Sequence, residues 1–160
     1  MSVYVSHYLV NWERFCEVWV EEEHPLDALD GAESRDTRND ILSSTYWLEE
    51  HFERVRRQLP QAEWLPALSE CIHACSHRGH HRDLPDAFAY EEGGFTITMS
   101  PATAAWIASQ WEALPHAEVD AAFTKSGDVD GSHVIPYIRG RMEVIAMAAA
   151  SGRGYVTRVG

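Results

Sequence analysis

Ile41, Thr45, Leu48, Phe52, Val55 and Leu59 recur every three or four residues until Pro60 ends the run. Only a helix brings positions so spaced to one side, so the spacing predicts an amphipathic helix over 40–59 whose stripe must lie on an apolar layer. Pro60 stops it because its ring disfavours helical backbone in the preceding residue. A second helix is predicted over 63–77, with Leu65, Leu68, Ile72 and Cys75 as its stripe, Trp64 and Cys71 alongside, and Gly79 suited to its C′ position. Ser100-Pro101 supplies an N-cap and first-turn pair for a helix carrying Ala102, Trp106, Ile107, Gln110 and Trp111. Pro115 breaks that helix, and a short one with Val119, Ala122 and Phe123 follows. Pro136 is expected to open a helix bearing Ile138, Met142, Ile145 and Ala149, which "SGRG" ends. Near the start, Asn11 offers an N-cap to a helix with Trp12, Phe15, Cys16 and Trp19 on one face, Val10 and Phe15 forming a hydrophobic staple.

Alternation and β-branched content mark "SVYVSHYLV", "GGFTITMS" and "YVTRV" as strands. Residues 25–39, "PLDALDGAESRDTRN", read as an exposed loop or one broken turn. The order β-α-α-α-β-α-α-α-β gives an α+β class: one domain over 1–160, a small mixed or antiparallel sheet, and about six helices packed on it. A chain of 160 residues buries a sufficient core without disulfide or metal staples.

The second half, "FTITMSPATAAWIASQWEALPHAEVDAAF" followed by a helix and "GRGYVTRVG", resembles the YfbM-like family of small bacterial proteins. The shared pattern is a strand, a Ser/Thr-started helix, a short "L…AF" helix, a long helix, and a last strand after a Gly turn. "SVYVSHYL" leading into a helix fits the same family. Where the family carries a Trp…Leu-His…Thr-Gly stretch, this chain has "WLPALSECIHACSHRGHH", so the resemblance implies a compact α+β fold and carries over no site.

Charge removes several function classes. The formal net charge is −12, and Lys125 is the single lysine. Nucleic-acid phosphates require clustered Lys and Arg, so nucleic acid is not an expected partner, nor is an anionic membrane surface. No apolar run approaches the roughly 18 residues of a membrane span. Three cysteines, with Cys16 far from Cys71 and Cys75, suit a reducing compartment. No signal-peptide pattern opens the chain, so the cytoplasm is the expected location. The acidity suits a basic protein partner, since complementary potential speeds encounter.

"CIHACSHRGHHRDLP", residues 71–85, concentrates four of the nine histidines. At 100° per residue Cys71 and Cys75 share one helix face and His73 and His77 the nearly opposite one, which argues against a Cys₂His₂ zinc site. His73 and His77, with His80, His81 or Asp83 folding back, could instead chelate one ion, and zinc on His73, His77 and His81 is the metal alternative. Without a metal, the same histidines complement the dipole of a helix end. "SGDVDGSHVIPY" mimics a calcium loop, but Tyr137 stands where a bidentate Glu is required. There is no nucleophile elbow and no phosphate-binding glycine loop. Trp12, Trp19, Trp106 and Trp111 fall on helical faces and are expected in the core. Trp47 lies off the stripe of its helix, so Tyr46, Trp47, Glu49 and Glu50, with Glu21, Glu22 and Glu23, are the candidate partner-binding residues. The reading is a non-enzymatic acidic protein that captures a basic partner, a bacterial toxin-immunity protein being one case, with no cofactor. The alternative is a metal-dependent hydrolase or metal-binding protein. Oligomeric state is left open.

Overall fold

The computed structural model describes residues 3–21, 29, 32–39, 46–76, 83, 90–91, 94–125 and 131–159. The elements run β1 (Val3–Val10), α1 (Trp12–Glu21), β2 (Glu33–Asn39), α2 (Tyr46–Gln58), α3 (Leu65–Cys75), β3 (Tyr90–Glu91), β4 (Gly94–Met99), α4 (Pro101–Glu112), α5 (His116–Lys125), α6 (Gly131–Ala150) and β5 (Gly154–Val159). The five strands form one sheet in the order β2-β1-β5-β4-β3, every neighbouring pair antiparallel. The α+β class stands, and the sheet is antiparallel rather than mixed.

Both faces of the sheet's centre are covered. Side chains alternate along a strand, so Leu9 and Tyr155 turn to one side and Val10 and Val156 to the other. Leu9, Ile97, Met99 and Tyr155 pack with α2 to α6 in the larger core. Val10 and Val156 pack under α1, against Phe15, Trp19 and Leu29. Asn11 caps α1 as expected, its Oδ1 accepting the Arg14 N–H at 3.1 Å. Ser100 caps α4, its Oγ accepting the Thr103 N–H at 3.1 Å. At the end of α6, Gly152 takes φ +65°, and the Gly152 and Arg153 N–H groups return to the Ala149 and Ala148 carbonyls. That is a Schellman closure, for which glycine is suited because it has no Cβ to clash.

Four expectations are corrected. Part of the segment read as loop is β2, paired with β1 from Val3↔Asn39 to Leu9↔Glu33. "ESRDTRN" has no apolar alternation, and its strand rests on the backbone bonds that β1's open edge offers; polar sequence of this kind is what protects sheet edges. Pro136 lies inside α6, which begins at Gly131. The proline removes one intrahelical bond near the start, a loss offset by the buried stripe the helix lays on the core. Trp106 is 43% exposed, because Ala104 and Ile107 carry the buried face of α4 and Trp106 stands one residue, or 100°, away from Ile107. Leu59 is equally exposed at 43%, since α2 closes at Gln58 and the stripe leaves the core with it.

Candidate functional site

The helix α3 separates its residues as the spacing predicts. Cys71 and Cys75 are buried free thiols and His73 is exposed. Desolvation raises both thiol pKa values: Cys75 up to about 11, the Arg141 charge opposing the rise, and Cys71 higher still. Both are therefore thiols at neutral pH, packed as small hydrophobes. His77, His80 and His81 lie outside the described residues. Asp83 faces another task, its Oδ2 accepting the Ser100 N–H at 2.8 Å. Among the described residues no three His, Cys, Asp or Glu side chains are grouped to hold a metal ion.

Of the candidate partner-binding residues, Glu22 and Glu23 lie outside the described residues, as do the side chains of Glu21, Tyr46 and Trp47. The acids of α2 are engaged within the fold. Glu50 accepts from Arg54 at 2.7 Å, and Glu53 beside it accepts from Arg56 at 2.7 and 3.1 Å. Glu49 is half-buried and takes the Ser76 hydroxyl at 3.1 Å. The helix holds three glutamates (Glu49, Glu50, Glu53) against three arginines (Arg54, Arg56, Arg57), a local charge of zero with His51 neutral. Exposed i,i+4 pairs are worth only about 0.3–0.5 kcal/mol, so a competing cation could displace these arginines.

A surface feature missed in the sequence lies beside that helix. A cleft of about 850 Å³ opens between the end of α2, the start of α3 and the α4–α5 turn. Its apolar lining includes Leu59, Trp64, Ala67, Leu114 and Pro115, and Glu63, Glu118 and Lys125 supply charge at its margin. Glu63 and Glu118 are exposed and form no ion pair among the described residues. The volume falls in the range of ligand-sized clefts. A second cleft of about 930 Å³ surrounds the start of α1, where Arg153 and Glu33 at its margin pair with each other at 2.8 Å.

A polar group sits at the centre of the core. Arg141 is 2% exposed, with Nη1 donating to the Cys75 carbonyl at 2.9 Å and the guanidinium carbon 4.9 Å from the Tyr137 ring centre. Tyr155 is fully buried nearby; its hydroxyl shares a 2.8 Å hydrogen bond with His7 Nδ1, which also lies 3.4 Å from Thr157 Oγ1. Desolvation pushes the Tyr155 phenol up to about 12, and Tyr137 rises for the same reason, the Arg141 charge opposing both. The signal for Arg141 was in the sequence: Val134, Ile138, Arg141, Ile145 and Ala148 recur at spacings of 4, 3, 4 and 3, and all are buried. A charged residue stands in an apolar register.

No protein-family model matches the sequence, and no curated protein matches it. Among solved structures, the chain is similar to the crystal structure of YfbM from Escherichia coli, a protein of unknown function, with a TM-score of 0.55 at 13% identity over 100% of both chains. Identity that low speaks for the fold alone, and the chain has a YfbM-like α+β fold.

Proposed function

We propose that this chain is a non-enzymatic binding protein that captures a basic protein partner, a bacterial toxin held by an immunity protein being one concrete case. The observation that carries the reading is the cleft beside α2, where apolar Leu59 and Trp64 lie next to Glu63 and Glu118, two carboxylates with no ion-pair partner among the described residues. Burial of an apolar anchor supplies affinity, and unpaired acids at the margin select a neighbouring Lys or Arg. The net charge of −12 adds long-range attraction for a basic surface. The arginines of α2 would yield Glu50 to the same partner at small cost.

The test is capture by the immobilised full chain, followed by reconstitution with the captured protein purified separately. The expected partner is basic, forms a stoichiometric complex, and binds at least tenfold more weakly when salt rises from about 0.05 to about 0.5 M. Glu63→Lys with Glu118→Lys, and separately Leu59→Asp, should each abolish the complex. An acidic partner, or binding indifferent to salt and to both variants, would reject the reading.

A further inference from the structure

We infer that the buried, unpartnered edge of Arg141 is a receptor for an oxyanion, the carboxylate or phosphate group of a small molecule. Two sides of the guanidinium are already fixed. Nη1 is tied to the last carbonyl of α3 at 2.9 Å, and one face lies over the Tyr137 ring at 4.9 Å. The remaining donors, Nε and Nη2, are buried and have no hydrogen-bond partner among the described residues. They are not a random pair. In a planar guanidinium these two N–H groups point the same way, forming the side-on fork that fits two oxygens of a carboxylate or phosphate. The fork is rigid before any ligand arrives, so less ordering entropy is lost on binding.

Charge makes the same case. Among the described residues Arg141 forms no ion pair with any Asp or Glu. The ionisable groups that act on it, Tyr137, Tyr155 and Cys75, are neutral near pH 7, so even the Cys75 thiol, which also interacts with the guanidinium as a hydrogen-bonding neighbour, supplies no balancing charge. A buried guanidinium with two unmet donors is costly, whereas substituting an apolar residue in this register would remove that cost. Its presence there has a purpose if an anion completes it. Both nitrogens are covered, so the anion must displace what covers them, and binding is best read as added stability of the folded chain.

Thermal unfolding of the full chain in sodium phosphate, sodium acetate and sodium chloride at matched ionic strength tests this. Phosphate or acetate, relative to chloride, should raise the midpoint in a saturable way by about 4 °C or more. A rise with phosphate alone assigns a phosphate group, and a rise with acetate alone a carboxylate. Arg141→Met should remove the effect, Arg141→Lys should retain only a fraction because an ammonium lacks the fork, and Arg139→Met on the exposed side of α6 should keep it whole. Should Arg141→Met not fold, the Arg141 Nε–H resonance of the wild type, followed through a phosphate and an acetate titration, decides instead; it should shift with one of them. Equal midpoints in all three salts, an unmoved resonance, or a shift that survives in Arg141→Met would overturn the assignment, and the fork would then belong to the chain's own groups or to water.

Discussion

Gly154→Ala probes how α1 is seated on the outer face of the sheet. Gly154 opens β5 opposite Val10 of β1. A methyl group built there would overlap Cε3 of Trp12 and lie 3.1 Å from the Met99 carbonyl oxygen. Trp12 has little freedom to retreat: its ring stacks on Phe15 with centres 5.6 Å apart, and Phe15 meets the Trp19 ring at a tilt with centres 5.3 Å apart. Overpacking of this kind costs about 1–3 kcal/mol, against which Ala regains about 0.5–1 kcal/mol of backbone entropy. The net loss is about 1–2 kcal/mol, or roughly 3–6 °C in Tm for a chain this size. Thermal and urea unfolding followed by circular dichroism would measure it. The decisive comparison is a double-mutant cycle with Trp12→Leu, in which the smaller side chain should recover more than half of the cost. The reasoning fails if Gly154→Ala matches the wild type, or if its cost is the same with Leu at position 12.

Gly140→Ala should have the opposite sign. Gly140 lies exposed in the middle of α6 with nothing within 4 Å of an added Cβ, so the same assay should show a gain of about 0.5–1 kcal/mol. Stability should fall on the alkaline side. Burial raises Cys75 from 9.0 to about 11, so its full contribution is present below the unfolded thiol's pKa and is lost as pH climbs through the folded value, on the order of 2–3 kcal/mol in all. Urea midpoints measured across that window should decline, and Cys75→Ala should flatten the slope even while lowering the whole curve. Plasma mass spectrometry of untagged protein purified without chelator should find substoichiometric zinc if the histidines only decorate the end of α3. Near-stoichiometric metal that disappears in a His73→Ala, His77→Ala variant would count for the metal alternative.

Elements that bury a periodic stripe were legible in the sequence, and features made by tertiary neighbours were not. The α2 register at Leu48, Phe52 and Val55 places three buried side chains, each following from spacing alone. β2 could not be found that way, since "ESRDTRN" owes its conformation to β1 rather than to its own composition. Trp106 and Leu59 were misplaced because hydrophobicity says that a side chain prefers burial, while geometry decides whether a neighbour reaches it. The cleft was invisible for the same reason: its walls come from two stretches of chain, 58–67 and 113–125, and only folding brings Glu63 and Glu118 to one cleft. Arg141 did carry a local signal, an ion in an apolar 4-3-4-3 register.

The two proposed sites differ in how they respond to the protein's own field. An exterior of −12 attracts a basic partner and repels a small anion. Added salt shortens the Debye length from about 10 Å at 0.1 M to about 3 Å at 1 M, and so weakens both effects. Partner capture at the cleft should therefore lose affinity as inert salt rises. Oxyanion binding at Arg141 is driven by close, desolvated hydrogen bonds that salt screens little, so it should hold or strengthen as the long-range repulsion fades. Titrating each ligand at low and high ionic strength should show partner affinity falling and anion affinity level or rising. An anion affinity that falls in parallel with the partner's would refute the claim that binding at Arg141 rests on desolvated hydrogen bonds.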